Sequence, residues 1–110
     1  MSVIRVKKQE AVKVRFTIQN SAGVVQDVST VTFEFQVAQR TPAYSSKFTI
    51  SNGSFDKNDA VTGIVVMPIS AVQLNLNQAF YEYELRMEFA TDDIRKTVTD
   101  NFVVERAITT

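Results

Sequence analysis

Tyr81-Glu82-Tyr83-Glu84-Leu85-Arg86-Met87-Glu88-Phe89 places an apolar or aromatic side chain at every odd position and a charged one at every even position. A period of two belongs to a β-strand with one face buried and the other wet, whereas a helix would scatter the same residues around its axis. Two other stretches read the same way. Val12, Val14, Phe16 and Ile18 alternate with Lys13, Arg15 and Thr17, and Val31, Phe33, Phe35 and Val37 alternate with Thr32, Glu34 and Gln36. Half-buried strands of this kind belong to antiparallel sheets, since parallel strands covered on both faces read as continuous apolar runs. Composition agrees: 16 valines, 7 isoleucines and 11 threonines stand against 3 leucines, a bias towards β-branched side chains that pack on a pleated surface. The expected fold is all-β, an antiparallel two-sheet sandwich.

The breaks between strands carry their own signals. Asn20-Ser21-Ala22-Gly23 offers a turn whose glycine can take a positive φ, and Asn52-Gly53 reads as a two-residue hairpin with Ser51 facing Ser54 and Ile50 facing Phe55. Thr91-Asp92-Asp93 separates the last two strands into a final hairpin. The segments expected as strands are 2–8, 11–19, 24–27, 31–39, 46–51, 54–56, 63–69, 80–90 and 94–105, several very short, so that seven or eight form the sandwich. Pro68 ends its strand or places it at an edge, because proline cannot donate to a ladder. Ser70-Ala71-Val72-Gln73 then reads as a capping box for one helical crossover turn near 70–74, with Leu74 and Leu76 dropping towards the core. In the last strand Lys96 and Asp100 share the parity of Ile94, Val98, Phe102 and Val104, which predicts a bulge near Asp100-Asn101 to keep charge out of the interior. Asp56 to Thr62 is the one loose segment expected.

With 110 residues, residues 1–110 are expected to form one domain around one core. Twelve basic residues equal twelve acidic ones, so no long-range field of one sign draws the chain to nucleic acid or an anionic membrane. Zero cysteines remove disulfides, thiolate metal sites and thiol nucleophiles, and zero histidines remove the commonest general base and metal ligand. The expectation is a protein without catalytic residues, cofactor or metal. Arg5, Lys7 and Lys8 are not followed by the ~7–15 apolar residues of a secretory signal, which predicts synthesis in the cytoplasm.

Local motifs do not change this. Asp56-Lys57-Asn58-Asp59 has the alternating start of a calcium loop, but Ala60 and Val61 stand where oxygen ligands are required. Ser54-Phe55-Asp56-Lys57 matches the S-x-x-K nucleophile pair but sits beside a turn rather than at a helix start. Tyr44 and Phe80 are the two aromatics expected at the surface, and a sugar-stacking platform would normally use tryptophan, which is absent. Charge is more suggestive. In the usual sandwich order, Lys13 and Arg15 fall on one sheet and Glu34, Glu82, Glu84 and Glu88 on the other, a polarity that would let copies stack head to tail. Tyr44, Phe80, Glu82, Glu84, Lys13 and Arg15 are therefore the candidate contact residues.

The order of elements adds a resemblance. Val12-Lys13-Val14-Arg15-Phe16-Thr17-Ile18, Asn20 to Ser29, Val31 to Val37, the glycine-led Gly63-Ile64-Val65-Val66, the Pro68 to Ala71 turn and the tyrosine-rich Phe80 to Leu85 stand in one order. That order resembles the N-terminal domain of phage baseplate upper proteins and related tail-associated immunoglobulin-like modules. The likeness runs from about Val12 to Val104 and lies mainly in strand pattern. Asn77-Gln78-Ala79 stands where the family commonly has Pro-Gly, and Asp100-Asn101 where it commonly has glycine. The resemblance implies an immunoglobulin-like sandwich that anchors or assembles with other phage structural proteins in the virion, or with copies of itself. It carries over no catalytic residue. The competing class is a carbohydrate-binding or adhesin-like sandwich.

Overall fold

The computed structural model describes residues 3–19, 22–39, 44–77, 79–89 and 94–105. Among them lie strands β1 (Ile4–Lys7), β2 (Val12–Thr17), β3 (Val31–Gln39), β4 (Ser45–Ile50), β5 (Ile64–Ile69), β6 (Ala79–Phe89) and β7 (Ile94–Glu105), with short 3-10 turns at Asn52–Ser54 and Ala60–Thr62. They form a five-stranded sheet in the order β1-β7-β6-β3-β4 and a two-stranded sheet, β2-β5. The two sheets pack face to face, as the strand patterns require.

The period-two stretches bury the expected faces. Val31, Phe33, Phe35 and Val37 of β3 and Tyr81, Tyr83, Leu85 and Met87 of β6 point inward with almost no exposure. Phe16 and Ile18, together with Val65, Met67 and Ile69 of β5, close the core from the smaller sheet. The pairing is antiparallel with one exception. β1 runs parallel to β7, in a register that sets Ile4 beside Phe102 and Val6 beside Val104, so its two apolar side chains join the inner face while Arg5 is exposed. The amino-terminal basic strand thus pairs inside its own sandwich.

The capping box forms as read. Ser70 Oγ accepts the Gln73 N–H at 3.1 Å and Gln73 Oε1 accepts the Ser70 N–H at 3.0 Å. The single turn it starts delivers Leu74 to the core, fully buried, as the chain passes from β5 in one sheet to β6 in the other. Pro68 stays within β5, tolerated because β5 is an edge strand. Gly23 takes its turn conformation at φ 80.

Several expectations are corrected. Asn52-Gly53 makes no two-residue hairpin: Ile50 pairs with Phe35, and Phe55 leaves the sheet to stack on Phe33 at 5.3 Å between centroids. The favoured type I′ hairpin turn needs positive φ at both central residues, and neither Asn52 nor Gly53 has it. Asn52 is engaged instead in holding β3, its Oδ1 accepting the Phe33 N–H at 3.0 Å. Segments 24–27 and 54–56 are not strands but single bridges, Gln19 to Val25 and Asp56 to Val66. The bulge near Asp100-Asn101 is absent, since β6 and β7 keep register without a break from Ala79 opposite Val104 to Phe89 opposite Ile94. Asp100 is only half-buried, so it needs no bulge to escape the core, and the irregularity falls in the β3–β4 pair at Val37/Ala38. The Lys96 side chain and Thr91-Asp92-Asp93 lie outside the described residues, although β6 and β7 do pair as the final hairpin.

Asp100 stands opposite Tyr83, and the consequence is measurable. Burial first, and then the charge of Asp100, push the Tyr83 phenol from 10.0 up to about 12. A group with a raised folded-state pKa contributes stability that is fully present below its unfolded value and lost as pH rises through the folded one. Alkaline titration is therefore expected to cost on the order of 1–2 kcal/mol between about pH 10 and 12, allowing for water in the groove beside the ring. Urea melts across that range check it, and Tyr83→Phe should flatten the slope.

Candidate functional site

The outer face of the five-stranded sheet gathers four of the six candidate residues, three of them around one recess. The register sets Gln36 beside Glu84 and Ala38 beside Glu82. The bulge at Val37/Ala38 brings Ser46 opposite Ala38, and Tyr44 lies immediately before β4. Gln36 Nε2 donates to Tyr44 Oη at 3.0 Å and to Ser46 Oγ at 2.9 Å, which draws the tyrosine across the sheet. Tyr44, Glu82 and Glu84 line one small recess with Gln36 and Ala38, about 40 Å³ in volume. Ala38 is buried on this outward side, while Tyr44 remains 62% exposed.

Phe80 stands two residues before Glu82, on the same face, and is 78% exposed. Its cross-strand neighbour Val103 is buried although its parity is outward, and Arg5 of β1 flanks Val103 on the other side. The face thus runs from an apolar end at Phe80 and Val103 to a tyrosine set among carboxylates. Arg86 sits between the acidic groups, 3.1 Å from Glu84 and 3.5 Å from Glu34, all three substantially exposed. Exposed pairs of this kind contribute ~0–1 kcal/mol, so they set the pattern of charge more than the stability of the sheet.

Lys13 and Arg15 do not join this site. They lie exposed on β2, in the other sheet, but the five-stranded sheet that carries Glu34, Glu82, Glu84 and Glu88 also carries Arg5 of β1, Lys47 of β4 and Arg86, so the two sheets do not divide cleanly into basic and acidic. The sequence reading missed Gln36, Ala38, Ser46 and Val103. Val103 carried a signal, since Phe102-Val103-Val104 is apolar on both parities and a strand end covered on both sides reads that way. Gln36 and Ser46 carried none, because their meeting depends on the β3–β4 bulge.

The Asp56–Asp59 segment is closed by its own hydrogen bonds. Asp56 Oδ1 accepts the Asn58 N–H at 2.9 Å, and the Asp59 carbonyl accepts the Thr62 hydroxyl at 2.8 Å. Lys57 turns inward, donating to the Val31 carbonyl at 2.6 Å with its ammonium 5.5 Å from the Phe33 ring centre, and burial lowers its pKa. Among the described residues no three His, Cys, Asp or Glu side chains converge as a metal site. No helix among them is long and apolar enough to cross a membrane.

No protein-family model matches the chain, and no curated protein matches it.

Proposed function

We propose that the chain is an immunoglobulin-like module of a phage virion, of the tail or baseplate type, which holds other virion proteins by surface contact. The order β1-β7-β6-β3-β4 against β2-β5, with hairpins only at β3–β4 and β6–β7 and every other connection crossing between sheets, supports the immunoglobulin-like assignment. The observation that carries the binding reading is the outer face of β6. An aromatic and two carboxylates meet there around the Gln36 hydrogen bonds, and an exposed phenylalanine lies on the same strand. Exposed aromatics on a rigid sheet are the anchors that protein interfaces use, since they bury large area at little entropic cost.

The mechanism is docking, with no bond made or broken. Binding measured one by one against the other structural proteins of the same phage tests it. Tyr44→Ala and Phe80→Ala should each weaken the cognate contact by at least about tenfold while leaving the thermal melt unchanged. A contact indifferent to both substitutions contradicts the reading. Self-association belongs to the same proposal: if copies stack through opposite charges, Glu82→Lys with Glu84→Lys should abolish any oligomer seen by native mass spectrometry across a concentration series. The two exposed aromatics also favour a second reading, stacking on sugar rings. Glycan-array capture lost on Tyr44→Ala or Phe80→Ala would establish that one in its place.

A further inference from the structure

The two-stranded sheet has one closed edge and one open edge. On the outer side of β5, Val66 exchanges both of its backbone hydrogen bonds with Asp56, at 2.7 and 3.0 Å, and the Ile64 N–H donates to the Asp59 carbonyl at 3.3 Å. Pro68, the next residue of that parity, has no N–H to offer. These three face Arg15, Thr17 and Lys13 across the ladder. In an antiparallel pair, opposed residues whose backbone groups turn away from each other alternate with those that bond directly. Lys13, Arg15 and Thr17 therefore turn their N–H and C=O groups to the far side of β2, where no strand pairs among the described residues. The β5 edge is blocked three ways, whereas the opposite edge, on β2, is free among the described residues.

Beside that free edge the sandwich is open. A groove of about 1080 Å³ runs between β2 and the β1–β7 margin of the larger sheet. Its apolar lining includes Ile4, Val14, Phe16, Met87, Phe89 and Val98, of which Ile4, Val14, Phe89 and Val98 are only partly buried. Among the described residues the charged ones along it are Arg5, Lys13 and Arg15, with no aspartate or glutamate.

We infer that the free edge of β2 accepts an extended segment of another polypeptide in which apolar residues alternate with aspartate or glutamate. The added strand takes up the backbone groups of Lys13, Arg15 and Thr17. Its apolar side chains enter the groove, and its acidic ones lie beside Lys13 and Arg15 on the outer face, the cross-strand arrangement that favours opposite charges. Six residues of edge give about 20 Å of pairing. A second copy is the wrong occupant. Of its free edge strands, β1 brings Arg5 and Lys7, β2 itself brings Lys13 and Arg15, and β4 brings Lys47, while β6, with its acidic and apolar alternation, is paired on both sides. This inference stands apart from the Tyr44 and Phe80 face proposed above, since it uses the other sheet and a different kind of contact, but it engages the same Lys13 and Arg15 that stacking of copies through opposite charges would use.

The test uses a synthetic peptide of about eight residues alternating valine with glutamate, and its counterpart with lysine for glutamate. Fluorescence anisotropy reads affinity, and amide hydrogen exchange by NMR reads the edge. The glutamate peptide should bind at least about tenfold more tightly than the lysine peptide and slow exchange at Lys13, Arg15 and Thr17. Lys13→Glu with Arg15→Glu should reverse the preference. Arg15→Pro, which removes a free-edge N–H that the β2–β5 ladder does not use, should weaken binding comparably, and the charge-reversal pair decides if that variant fails to fold. The inference is overturned by no binding, by equal affinity for the two peptides, by binding without protection of those amides, or by a charge reversal that changes nothing, in which case the basic residues serve only to keep the edge from aggregating.

Discussion

Phe35→Ala is expected to lower the free energy of unfolding by about 3–5 kcal/mol, the range for removing a buried ring that its neighbours cannot collapse around. The ring is fully buried and touches aromatics from four other strands: Phe16 of β2 at 6.3 Å, Phe48 of β4 at 6.4 Å, Tyr83 of β6 at 5.3 Å and Phe102 of β7 at 6.2 Å. Phe16 belongs to the two-stranded sheet, so the loss opens the seam between layers as well as the interior of the larger one. Against a total stability of about 5–15 kcal/mol, such a loss takes a large share of the fold. Urea denaturation checks it, with the exposed Thr32→Ala expected within about 0.5 kcal/mol of the parent. A Phe35→Ala loss below about 1.5 kcal/mol would mean that the aromatic cluster repacks and does not tie the sheets together.

Gly63→Ala should cost about 2–4 kcal/mol, for two reasons that add. Gly63 has φ 81, a left-handed conformation that a Cβ disfavours. That Cβ would also lie 2.8 Å from the Ile18 carbonyl oxygen and 2.9 Å from that of Gln26, both backbone atoms. Neither can retreat cheaply, since Gly63 O accepts the Ile18 N–H at 2.7 Å and Ile18 O accepts the Gln26 N–H at 3.1 Å. Gly53→Ala is the internal control: its Cβ would meet nothing within 4 Å, and its φ is not in the left-handed region. It should change stability by no more than about 0.5 kcal/mol. Equal effects at the two glycines would contradict the close approach at Gly63.

Gly63 also marks the boundary of what the residues alone disclose. Its place at the head of a strand was readable, as were the buried faces of β3 and β6, because period two and burial are one fact seen twice. The Ser70 and Gln73 capping box was readable because all of its partners lie within four residues. Asn52-Gly53 was misread for the opposite reason: the Asn52 carboxamide is engaged by Phe33, 19 residues away. Asp100 was misread because parity tells which way a side chain points but not how far the opposite sheet extends. The facing sheet has two strands against five, so its edge leaves Asp100 half-buried. The candidate face was legible only in part. Glu82, Glu84 and Phe80 follow from one strand's parity, whereas Tyr44 joins them through a bulge that no local pattern announces. The open edge of β2 was hidden entirely, since an edge is defined by the strand that does not pair with it.

Whether the chain is a structural part of a virion is tested by quantitative mass spectrometry of gradient-purified particles encoded by the same genome. The chain should co-purify at a fixed ratio to the tail proteins, and cross-links to one of them should map to the Tyr44, Phe80, Glu82 and Glu84 face. Purified particles that contain their tail proteins and lack this chain would contradict it.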